Sequence, residues 1–188
     1  MSGVCIFFII FYNISGMFKD ISQFNNTEDY LPIITAILIV DFVIITLTFS
    51  NIISSSLLKR WYQTFLLSAV FADILIIFIG FIIARAIYPY LFDTFTILQF
   101  IIVLLMVQII HDILFYLVIL VIPRGANKII DMFKDFADEV SYYAIIGDSV
   151  MIITSVLIAG YLANFEANTN IIIFVVFAYL LQYIIYNT

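Results

Sequence analysis

The run from Leu98 to Pro123 sets what this chain can fold into. It is long enough to cross a bilayer, which takes about 20 predominantly apolar residues. Near its middle stand Gln108, His111 and Asp112, the histidine being the only one in the chain. Ionisable groups at that depth are expensive and face protein or water rather than lipid. Three further apolar runs each carry one aspartate in mid-run: Asp41, Asp73 and Asp148. The pattern is that of an all-α membrane protein with a polar interior.

Composition supports the same class. The 188 residues are 65% hydrophobic and 11% charged, with a mean hydropathy of +1.22. A soluble domain carries about 25% charged residues. A soluble fold of this size could not cover so much apolar surface, so most of the solvent is lipid. The net charge of −6 argues against nucleic acid as a partner. The single Cys5 excludes an intrachain disulfide and a multi-cysteine metal site. No Gly-rich phosphate loop, HExxH or GxSxG is present.

Five spans follow, near 31–53, 63–87, 98–122, 141–162 and 171–185, in one transmembrane domain. The expected architecture is an up-and-down helix bundle. Residues 4–18 form a short apolar segment that either adds a sixth span or lies in the interface. Asn25, Asn26 and Thr27 form a glycosylation sequon, which matters only if that loop is lumenal. Tyr88-Pro89-Tyr90-Leu91-Phe92-Asp93 reads as a tight aromatic turn at the headgroup level. Between spans three and four, Ile129, Phe133, Phe136 and Val140 recur at helical spacing among Asp131, Lys134, Asp135, Asp138 and Glu139. That is one amphipathic helix, lying at the cytoplasmic interface or packed on the protein itself. Without Pro or Gly between Ala126 and Gly147, it can run on into span four.

Placement of Lys and Arg sets the expected topology. Lys59, Arg60, Arg124, Lys128 and Lys134 all fall in the connections after spans one and three, against Lys19 and Arg85 on the other side. The connections after spans one and three are expected to be cytoplasmic, and the five cations to mark topology and touch anionic headgroups. The bilayer is the expected partner, with other membrane or capsid proteins or further copies of the chain beside it.

The polar interior admits several readings. Asp41, Asp73, Asp112 and Asp148, with Gln108 and His111, would meet at similar depth in an alternating bundle. They then form an ion or proton route, or they serve as hydrogen-bonding glue between helices. Adjacent positions diverge by about 100° on a helix, so His111 and Asp112 are expected to face different neighbours. Span three, polar on more than one face, is expected at the centre of the bundle. A metal at His111 and Asp112 is the weaker candidate, since no second histidine is present. A hydrolytic dyad there lacks a nucleophile beyond Ser149, and no cofactor is implied. Spans two and four also share a spacing: Ala69-x-x-Ala72-Asp73-x6-Gly80-x3-Ala84 and Ala144-x-x-Gly147-Asp148-x6-Ser155-x3-Ala159. The small residues predict closely packed faces carrying Asp73 and Asp148 inward. The spacing also suggests two parallel helical-hairpin repeats, although the restricted composition of membrane helices makes such matches cheap.

Finally, Pro123-Arg124-Gly125-Ala126-Asn127, Asp131-Met132-Phe133-Lys134 and Gly147-Asp148-Ser149 form a recognisable pattern, with Gln108-Ile109-Ile110-His111-Asp112 ahead of them. It resembles uncharacterised multi-spanning membrane proteins of large double-stranded DNA viruses of algae and protists. The resemblance covers roughly residues 105–155. It implies a virus-encoded membrane protein, located in a virion's internal lipid layer, and assigns no activity. A structural or assembly role is the leading expectation, and a small proton or cation channel or transporter is the alternative.

Overall fold

A computed structural model describes residues 17–139 and 142–186, without the side chains of 139 and 142–144. Among these residues the chain is all-helical. A short 3-10 turn, Thr27–Asp29, precedes seven helices: α1 Tyr30–Phe49, α2 Ser56–Phe65, α3 Leu67–Leu91, α4 Ile97–Val121, α5 Lys128–Glu139, α6 Tyr142–Leu162 and α7 Ala167–Ile185. Five of them, α1, α3, α4, α6 and α7, are long and apolar enough to cross a membrane. The segment 4–16 and Val140 lie outside the described residues, as does the junction between α5 and α6.

Local chemistry explains the helix ends. Ser55 caps α2, its Oγ accepting from the Leu58 N–H at 3.2 Å. Thr96 caps α4 in the same way through Gln99 N–H at 3.3 Å. Asn170 closes the turn after α6, its Nδ2 donating to the Leu162 carbonyl at 3.1 Å. These side chains satisfy backbone groups that a helix end leaves open.

The centre of the bundle is α1, not α4 as the distribution of polar residues suggested. Helix α1 packs on α6 and α7 most extensively, and on α3 and α2. Pro32, Ile33, Thr35, Ala36, Asp41, Ile45 and Thr48 are buried around its circumference. Helix α4 packs on α3, α6 and α5. Its Met106, Ile110, Leu114, Leu117 and Val121 are exposed, a surface suited to lipid. Polar groups on two faces of a helix thus required two neighbours, and peripheral α4 has them.

Two further expectations change. Tyr88, Pro89 and Tyr90 do not form the turn; α3 continues through them to Leu91. Pro89 sits in the last turn, where only one helical hydrogen bond is lost. The connection after span one is not a bare loop either. It folds as α2, a second amphipathic helix beside the expected α5. Leu57, Trp61 and Tyr62 of α2 are buried. Leu66, at φ 50°, breaks the chain between α2 and α3.

Helices α2 and α5 lie at one end of the bundle and touch each other. The Trp61 and Phe133 rings are 5.2 Å apart, and Arg60 Nη1 lies 3.5 Å from Asp135 Oδ2. The apolar stripe of α5 packs on the protein: Phe133 meets Trp61 and, at 5.1 Å, Phe115 of α4. At the other end, residues 17–29 fold over α3 and α6. Lys19 N–H donates to the Gly160 carbonyl at 3.0 Å, and a methyl on Gly160 would stand 3.1 Å from Phe18 Cβ.

Candidate functional site

The four mid-run aspartates converge on the region where α1, α3, α4 and α6 face one another. Asp41 on α1 is fully buried. Its Oδ1 accepts a hydrogen bond from the Tyr62 hydroxyl at 3.2 Å, while its buried Oδ2 has no partner. Asp73 on α3 accepts from Trp61 Nε1 at 3.1 Å. The four carboxyls stand on helices that pack around one another, α1 on α3 and α6, and α4 on the same two.

Both donors to the first pair, Trp61 and Tyr62, come from α2. That helix was not expected, so neither residue was singled out. The signal was present: Leu57, Leu58, Trp61, Tyr62 and Phe65 recur at helical spacing behind the Ser55 cap. Burial, with Asp73 and Asp41 beside it, pushes the Tyr62 hydroxyl well above the usual phenol range, so it remains a donor.

The small-residue faces account for the inward direction of the acids. Ala69, Gly80 and Ala84 on α3 are buried, and a methyl on Gly80 would lie 3.4 Å from Leu104 of α4. Ser155 and Ala159 on α6 are buried as well. The shared spacing breaks at Gly147, which is exposed with open space where a Cβ would stand. The side chain of Ala144 lies outside the described residues.

On α4, Gln108 is buried and its Nε2 donates to Asp112 Oδ1 at 2.7 Å. His111 was expected to turn away from Asp112, yet its Nδ1 lies 3.2 Å from the same Oδ1. The two rotamers lean toward each other around the helix, and the imidazole stacks on Phe115 at 5.9 Å. His111 and Asp112 thus belong to one polar patch, with Gln108. Tyr116 is exposed and takes no part. Among the described residues no group of three or more His, Cys, Asp or Glu is arranged to hold a metal ion. Ser149 Oγ donates to the Ile145 carbonyl at 2.7 Å and is tied to its own helix.

The expected surface cations divide. Arg124 pairs with Asp135 at 2.8 Å and Asp138 at 3.0 Å, and Arg60 with Asp135 at 3.5 Å. The hydrogen bond it donates to Asp135 holds the Arg124 guanidinium further above its ordinary value. Lys134 Nζ donates to the Ile122 carbonyl. Lys59 Nζ donates to Asn51 Oδ1 at 3.0 Å, and Lys128 is exposed.

Arg85, read from the sequence only as a topology charge, is the most enclosed cation. Its side chain is fully buried against an equally buried Asp29, Nη2 to Oδ2 at 3.5 Å. Nη2 also donates to the carbonyls of Gln23 and, at 2.7 Å, Asn26. The guanidinium stands 4.2 Å from the centre of the Tyr30 ring. This cluster pins residues 17–29 to the end of the bundle opposite α2 and α5.

No family model matches the chain, and no curated protein or solved structure is significantly similar to it. The fold defines a class: a multi-spanning helical membrane protein whose long apolar helices each carry at most one aspartate in mid-run.

Proposed function

We propose that this protein is a structural or assembly component of the membrane it spans, with the aspartates acting as internal acceptors that fix the helices. The observation that carries this reading is the engagement of Asp41 on α1 and Asp73 on α3 by Tyr62 and Trp61 of α2. Hydrogen bonds of this kind give transmembrane helices, which lipid cannot drive together, a defined arrangement. The resemblance over residues 105–155 makes a virion's internal lipid layer the membrane in which to look, with capsid or other membrane proteins as neighbours. The test is reconstitution. Liposomes carrying the wild-type protein should pass no protons or monovalent cations above background, and Asp41→Leu and Asp73→Leu should lower the folded yield.

A second reading, a proton or cation route, draws on a different observation. Asp41 Oδ2 and Asp112 Oδ2 are buried without partners, and the four aspartates stand on helices that pack around one another. Flux that disappears in a normally folded Asp148→Asn variant would overturn the structural role and establish this one.

A further inference from the structure

The cation-rich end of the bundle holds a cavity of about 510 Å³ where the last turns of α1 and α7 meet α2. Its lining is mixed: Lys59, Gln63, Thr46, Ser50 and Tyr183 supply an ammonium, an amide and three hydroxyls, and Phe49 and Ile184 are apolar. Helix termini form the rim, so the cavity stands at the level of the headgroups.

Lys59 differs from the arginines nearby. Arg60 and Arg124 are neutralised by acids of α5. Among the described residues no carboxylate lies within ion-pair distance of Lys59. One of its three N–H groups goes to Asn51, which leaves two for a ligand. The polar lining is therefore positive and rich in donors. No carboxylate lines the cavity to meet the ammonium of a choline or ethanolamine headgroup. Tyr183 also belongs to the exposed face of α7, with Val176 and Tyr179, a surface suited to lipid. A soluble anion would leave Phe49, Ile184 and that face unused.

We propose that this cavity binds the phosphate of an anionic phospholipid, Lys59 taking the charge, Gln63 and Ser50 donating to its oxygens, and the acyl chains passing Phe49 and Ile184 onto α7. The inference rests only on the chain spanning a membrane and holds under either reading above.

Native mass spectrometry of the detergent-solubilised protein tests it, with phosphatidylglycerol and phosphatidylcholine supplied in equal amounts. Wild-type protein should retain phosphatidylglycerol in preference. Lys59→Gln should reduce that retention about fivefold, the effect of one basic residue near an anionic lipid surface. Gln63→Ala should reduce it too, which guards against a folding defect peculiar to one variant. Arg60→Gln, one residue away but outside the cavity, should leave retention unchanged. Added inorganic phosphate should not displace the lipid. Equal retention of both lipids, equal loss in Arg60→Gln, or displacement by free phosphate would each overturn the proposal.

Discussion

Tyr62 reaches Asp41 from a helix that does not cross the membrane, and that single hydroxyl joins an interfacial element to the most buried span. The pair is the natural object of a double-mutant cycle. Asp41→Leu strands the Tyr62 hydroxyl in a dry interior and should cost about 1–3 kcal/mol. Tyr62→Phe leaves Asp41 Oδ1 without its donor and should cost a similar amount. Replacing both partners removes both stranded groups, so the double variant should be milder than the sum, as read by unfolding in mild detergent. Strict additivity would deny the bond any energetic weight. Arg85 makes a stronger case at the opposite end. Removing one member of a buried ion pair costs about 3–5 kcal/mol because its partner is left uncompensated. Arg85→Met should fall at the low end, since Lys19 stands 3.8 Å from the same Asp29 carboxylate. Asp29→Asn added to it should restore part of the loss. The aspartates were legible in the sequence because a charge in an apolar run has few innocent explanations. Arg85 looked like a terminal topology charge, and nothing in a one-dimensional pattern shows that residues 23–29 fold back over it.

At the scale of elements, the long spans were readable and the short helices less so. Leu98–Pro123 could only cross the membrane, and α4 does so within a residue of the expected ends. Helix α2 was missed because Lys59 and Arg60 read as loop charges, while its burial depends on α3 and α5 being nearby. Helix α5 was found from its periodicity, and its geometry supplies a prediction. Gly125 has φ 88° in the turn between α4 and α5, and a side chain there would meet open space. Its N–H donates to both carboxylate oxygens of Asp131, at 3.1 and 2.9 Å, which fastens the turn to the first turn of α5. Gly125→Ala should therefore cost about 1–2 kcal/mol through backbone strain alone. Hydrogen exchange should show α5 opening more readily while α1 and α3 stay protected. Unchanged protection in α5 would mean that the turn does not determine its docking.

Among the described residues the whole molecule is organised by five long apolar helices, with α1 at their centre. The two ends differ in kind: one is closed by α2 and α5 with five of the seven Lys and Arg, the other by residues 17–29 pinned through Arg85. Contact between Trp61 and Phe133 and between Arg60 and Asp135 places the connections after spans one and three together. The charge count anticipated that these two connections share one end of the bundle. It could not anticipate α1 as the hub, since all-round burial of Ile, Ala and Val reads the same as lipid exposure. The topology is open to a direct measurement. In a Cys5→Ser background, single cysteines at Lys59, Lys128 and Asn25, all on connecting segments, should report sidedness to a membrane-impermeant thiol reagent. Lys59→Cys and Lys128→Cys should be protected in intact cells and labelled once the membrane is opened. Asn25→Cys should be labelled from outside. Should Lys59→Cys and Lys128→Cys label from opposite faces, the packing of α2 on α5 could not exist in the membrane. Should both label from outside, the bundle would stand but its orientation would be inverted, and the cavity at Lys59 would face the opposite leaflet.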